Sequence, residues 1–120
     1  MTLYHFTCDH HADEVRRDGH VRSLMDLLGD DAPAAAQLPQ AEFAWFTDLD
    51  VAHRKALGLT SHITRCDRTA HRFEVTDATA VTRYLDVRRY HPRLWSLELA
   101  PGAMPAHWWI ASEPVPVRPS

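Results

Sequence analysis

"TLYHFTCDHH" occupies Thr2–His11, and the fold is decided by how this stretch is divided. Leu3, Tyr4, Phe6 and Thr7 favour a strand, because aromatic and β-branched side chains suit a pleated, half-buried surface. Asp9 then reads as the N-cap of a helix. Ala12 and Val15 share one face of that helix, Asp13 and Glu14 suit its first turn, and Gly19 can close it in the left-handed conformation. A strand feeding directly into a short helix argues for an α+β domain. His5 stands at the centre of the strand, where titratable groups are uncommon. It is either a hydrogen-bonded core histidine or a ligand-contacting group.

Working outward, His20–Leu24 reads as extended and Leu24–Leu28 as one apolar helical turn. "GDDAPAAAQLPQA" (Gly29–Ala41) is a surface loop, since its two prolines interrupt any period. "EFAWFT" (Glu42–Thr47) is a second strand. Asp48 or Asp50 then caps a short helix through Leu57, closed by Gly58, and Thr60–Arg68 is irregular. "AHRFEVT" (Ala70–Thr76) alternates, with Phe73 and Val75 on one face and Arg72 and Glu74 on the other. Asp77 is expected to cap a helix with Val81, Tyr84 and Leu85 as its apolar stripe. "RLWSLEL" fits strand and helix alike. "HWWIASEPVPV" reads as one final extended segment with Trp108 and Trp109 on opposite faces, its prolines placing its end at a sheet edge. The order β-α-β-α-β-α-β over residues 1–120 predicts one compact α+β domain with a small mixed or antiparallel sheet.

Composition narrows the class. Apolar residues are 45% of the 120, enough for a core, and no apolar run approaches a membrane span. The N-terminus lacks a signal-peptide layout, so a cytoplasmic protein is expected. Two cysteines, Cys8 and Cys66, are too few for a secreted disulfide scaffold. The net charge of −3 is unevenly spread: residues 1–60 hold five Lys/Arg against ten Asp/Glu, and residues 61–120 hold eight against six. Arg83, Arg88, Arg89 and Arg93 cluster in the second half, as a solvated helix face or as a phosphate-contacting patch.

Three constellations carry chemistry. His5, Cys8, His10 and His11, with Cys66 and His71, offer thiolate and imidazole donors of the kind zinc takes, but their spacing matches no familiar zinc knuckle. Cys8 next to a helix N-terminus is a candidate nucleophile, with an inert buried thiol as the alternative. The third set lies at strand ends: His5 and Thr7, Trp45 and Thr47, Ser112 and Glu113. A small sheet builds a site by sending one polar side chain from each of several strands into a common cleft.

"LYHFT", then "RDGHVRS", then "FAWFTDL", then a terminal carboxylate-bearing strand resembles the ADP-ribosyltransferase superfamily. It is similar to the DNA-modifying ADP-ribosyltransferase toxins and the RNA 2′-phosphotransferases. "GLTS", "CDRTAHRFEV" and "HWWIASEPVPV" also look like a family of uncharacterised proteins from actinobacteria and their bacteriophages. The first resemblance implies an NAD-dependent transferase. His5 and Thr7 would grip the nicotinamide end and ribose, Trp45 and Thr47 would supply the second-strand motif, and Glu113 would act at the reacting ribose. Arg16, Arg65 and Arg68 are candidates for the pyrophosphate. The acceptor would be a nucleic acid or a protein.

The chain departs from the superfamily pattern: Glu113 precedes Pro114, which biases its backbone toward extended conformations, and the domain is near the small end for this fold. Phe6 stands where many members have glycine after the histidine, and Trp45 stands where a tyrosine or serine is usual. Trp45 cannot accept a hydrogen bond. These departures leave a second reading, a non-enzymatic binding or inhibitor protein on a degenerate transferase fold. A zinc-stabilised small domain using Cys8, His10 or His11, and Cys66 is a third.

Overall fold

A computed structural model describes residues 1–29, 38–51, 55–57 and 67–120. The first strand, β1, spans Tyr4–Thr7, and α1 follows at Asp9–Asp18. Cys8 rather than Asp9 takes the N-cap position: its backbone is extended, and its carbonyl accepts from the amides of His11 and Ala12. Asp9 is instead the first helical residue, and its carboxylate is held elsewhere. Gly19 ends α1 with φ 70°, its amide bonded to the Val15 carbonyl, as a glycine C-cap should.

The short strand β2 (His20–Val21) leads into α2 (Leu24–Leu28), where the Ser23 hydroxyl accepts from the Asp26 amide. A 3-10 turn at Pro39–Glu42 precedes β3 (Ala44–Thr47), so the strand begins two residues later than the sequence pattern indicates. β4 spans His71–Val75. Asp77 caps only a 3-10 turn (Ala78–Ala80), not a helix. Val81 is extended, and β5 (Thr82–Arg83) separates it from the four-residue α3 (Tyr84–Val87). Three β-branched residues among Thr79, Val81 and Thr82 explain why a helix is not sustained there. Pro92–Leu99 resolves as 3-10 helix. The C-terminal segment is two strands, β6 (Trp108–Ala111) and β7 (Val115–Pro119), joined by Ser112–Pro114. The helix expected from Asp48 or Asp50 to Leu57 falls partly outside the described residues; Asp50 and Val51 are bends, and 55–57 form a turn.

The described strands pair antiparallel in the order β2-β7-β4-β1-β3-β6-β5. β7 therefore has β2 beside it at Val115 and Pro116, while its end, Arg118 and Pro119, pairs with β4 alone. Pro116 is tolerated because only its carbonyl is used, accepting from the amide and hydroxyl of Thr76. β6 and β7 stand four steps apart in this order, roughly 19 Å across a flat sheet. The link from Ala111 to Val115 can reach only about 14 Å, so the sheet curls.

The inside of the curl is the main core. Ala44, Phe46 and Ala111 from one limb meet Phe73, Val115 and Val117 from the other, with Ala12 and Val15 of α1 between them. A second core lies on the outer face of β3 and β6. There Tyr84, Leu94, Trp108 and Ile110 pack with Trp45 and Phe43 beneath the 3-10 segments. The result is a compact α+β domain. Among the described residues no helix is long and apolar enough to cross a membrane.

Candidate functional site

β1 and β3 meet at a single register pair, Tyr4 opposite Thr47. Continuing that register would set Phe6 opposite Trp45, yet the ladder stops. In its place the His5 ring reaches across, Nδ1 lying 2.7 Å from the Trp45 carbonyl oxygen. A carbonyl only accepts, so Nδ1 carries the hydrogen and Nε2 is the acceptor nitrogen of a neutral ring. Burial pushes His5 below the ordinary imidazole range. The Trp45 carbonyl opposes that shift, and His11 on α1 adds to it. Nε2 has no partner among the described residues. The ring as a whole is half-buried.

The alternation of the strands sorts the other candidates. Tyr4 pairs with Thr47, so Thr47 and Trp45 share the outer face with Tyr4 and Phe6. His5 and Thr7 share the inner face with Phe46 and Ala44. The His5–Phe46 ring centroids are 5.6 Å apart. Thr7 is buried. Thr47 is buried too, and its Oγ1 accepts from the Leu49 amide at 3.1 Å. Trp45 donates from Nε1 to the Gln40 carbonyl and stands edge-on to Trp108 and Phe43. Trp108 faces the outer core and Trp109 leans on the inner one.

Glu113 is exposed in the β6–β7 turn. It lines a groove of about 380 Å³ with Phe43, Thr82, Val87, His91 and Ser112. His5 and Thr7 do not line it. The structure thus brings Glu113 together with His91 and Thr82, in a groove that His5 and Thr7 do not line. A second groove of about 280 Å³ adjoins through the shared Phe43 and His91, whose rings meet edge-on at 5.0 Å.

Arg16 is committed to Asp13 and to His71 Nδ1. Arg68 is exposed in the turn before β4, and Arg65 lies outside the described residues. Cys8 is buried, out of reach of a substrate as a nucleophile; Cys66 lies outside the described residues. No group of three or more His, Cys, Asp or Glu among the described residues could hold a metal ion.

Two His–Asp pairs escaped the sequence reading. His71 takes the Arg16 guanidinium on Nδ1 and donates from Nε2 to Asp9. His107 donates from Nδ1 to Asp48 at 2.7 Å, one register step beyond Thr47 opposite Trp108. Only the pairing of β3 with β6 places Asp48 opposite His107; nothing local marks either residue.

Comparison with family models, with curated proteins and with solved structures gives no match to this chain.

Proposed function

We propose that this chain binds the nicotinamide-riboside end of NAD at His5 and transfers ADP-ribose to a nucleic-acid or protein acceptor. The observation that supports the reading is the His5 ring: fixed through Nδ1 where β1 and β3 part, neutral, with Nε2 left as its acceptor nitrogen. Such a nitrogen suits a ribose hydroxyl, which can donate to it. In the transfer the bond between C1′ and the pyridinium nitrogen breaks, and nicotinamide leaves as a neutral ring. An acceptor oxygen or nitrogen then bonds to C1′ and gives up its proton. The positive charge that builds on the ribose calls for a carboxylate, the role proposed for Glu113.

A second reading, a non-enzymatic binding protein, is favoured by one specific observation. Glu113 lines a groove that His5 does not line, whereas the transfer calls for both at one ribose. Nicotinamide release from NAD, measured with and without DNA, RNA and protein fractions, separates the two. Release that depends on one fraction and is lost in His5→Ala and Glu113→Gln supports the transferase. Release unchanged by Glu113→Gln removes the carboxylate's role. No release with any fraction gives the binding-protein reading.

A further inference from the structure

"RRYHPRLW" (Arg88–Trp95) holds three arginines and no carboxylate in a chain whose net charge is −3. His91 and Pro92 break the segment into two 3-10 turns, Arg88–Tyr90 and Pro92–Leu99. The break folds the arginines back onto aromatic rings. The Arg88 guanidinium lies 4.9 Å from the Trp95 centroid, and Arg89 lies 4.7 Å from that of Tyr90 while donating to its hydroxyl at 2.7 Å. Tyr90 is 65% exposed and Trp95 42%. Each ring thus keeps a large part of its surface open to solvent although a guanidinium lies over it. The groove of about 280 Å³ lined by Tyr90, His91, Arg93 and Phe43 opens beside them.

Carboxylates temper part of this charge. Arg88 meets Glu98 and Arg93 meets Glu42. Arg89 has no carboxylate partner among the described residues. We propose that this surface docks single-stranded nucleic acid, with the arginines on phosphates and Tyr90 and Trp95 as platforms for unpaired bases. Alternating cations and exposed rings are what a sequence-tolerant single-strand site requires, because every base has a π-face and every linkage a charge. A duplex hides its base faces and meets only the arginines. The proposal names the partner at a surface separate from His5 and does not depend on NAD being used.

The test is fluorescence anisotropy of dye-labelled oligonucleotides of about 12 nucleotides, single-stranded and duplex, without NAD, between roughly 50 and 200 mM salt. Single strands should bind more tightly than the duplex. Tyr90→Ala, whose side chain is too exposed to support the fold, should weaken single-strand binding by on the order of tenfold. Arg89→Gln should lower the slope of log affinity against log salt by about 0.7. Equal affinity for duplex, or Tyr90→Ala binding like the parent, overturns the proposal. So does the absence of binding at low salt, which leaves the surface to a protein partner. Nicotinamide release is read separately, so either proposal can fail alone.

Discussion

His5 Nδ1 lies 2.7 Å from the carbonyl oxygen of Trp45, so a side chain bridges β1 and β3 where their ladder ends. The bond satisfies a carbonyl that would otherwise lack a partner at the parting of the strands. It also fixes which ring nitrogen carries the hydrogen.

His5→Ala should cost about 1–3 kcal/mol, because the Trp45 carbonyl loses its donor. His5→Asn, which keeps a donor near the position of Nδ1, should recover part of this. Burial lowers the His5 pKa in the folded state, so the unfolded chain binds the proton first as pH falls. The stability this group contributes is full above its unfolded value of about 6.5 and is lost as pH drops through the folded value. Urea unfolding between pH 5 and 8 should show a shallower acid-side loss in His5→Asn than in the parent. Parallel profiles would refute this account of His5.

Thr47 is 1% exposed, and its hydroxyl accepts the Leu49 amide as β3 ends. Thr47→Val keeps the shape and removes the acceptor, and should destabilise by about 1–2 kcal/mol. Thr47→Ser should restore most of it. If both unfold at the parent's denaturant midpoint, Thr47 does not hold the strand end.

Tyr84 is fully buried and donates to Glu98 at 2.6 Å, while Arg88 donates to the same oxygen at 3.0 Å. Burial, reinforced by Glu98, raises the phenol's pKa well above its usual value. The unfolded phenol ionises first as pH rises, so this contribution is present below about pH 10 and is lost above it. Absorbance at the phenolate band should show one tyrosine ionising only as the fold is lost, and Tyr84→Phe should abolish that component. Tyr84→Phe should cost about 1 kcal/mol and Tyr84→Ala about 3–5 kcal/mol, the latter from the cavity between Trp45 and Trp108.

Gly102 and Gly19 form a controlled comparison. Both have positive φ, 81° and 70°, but a Cβ on Gly102 would lie 2.9 Å from Lys55 Cβ, whereas one on Gly19 meets open space. Each alanine substitution carries a backbone strain of about 1 kcal/mol. Gly102→Ala must in addition displace Lys55, so its melting temperature should fall further than that of Gly19→Ala. Equal shifts would show that the Lys55 segment yields freely.

Much of the local structure was legible because it depends on neighbours in sequence. The i, i+3 spacing of Ala12 and Val15 and the glycine at 19 mark α1, and the alternation of Phe73 and Val75 marks β4. The region after Asp77 was misread because Val81, Tyr84 and Leu85 satisfy a helical period, while the β pairing of Thr82 and Arg83 with Ile110 and Trp109 claims those residues first. The turn at Ser112–Pro114 was missed for a related reason. "SEP" carries no glycine, and only the curl of the sheet requires the chain to reverse there.

The α+β class, the opening strand and helix, the apolar supply and the place of His5 in a strand can all be read from the residues. Those follow from side-chain propensity and period, which act over a few residues. Tertiary structure alone decided that β1 and β3 part after one pair and that His5 bridges the gap. It also sent Glu113 to a groove with His91 and set Asp48 opposite His107. Each of these depends on which strands become neighbours and on which face a residue lands. A one-residue change of register reverses every face, and no local pattern in the chain encodes that choice.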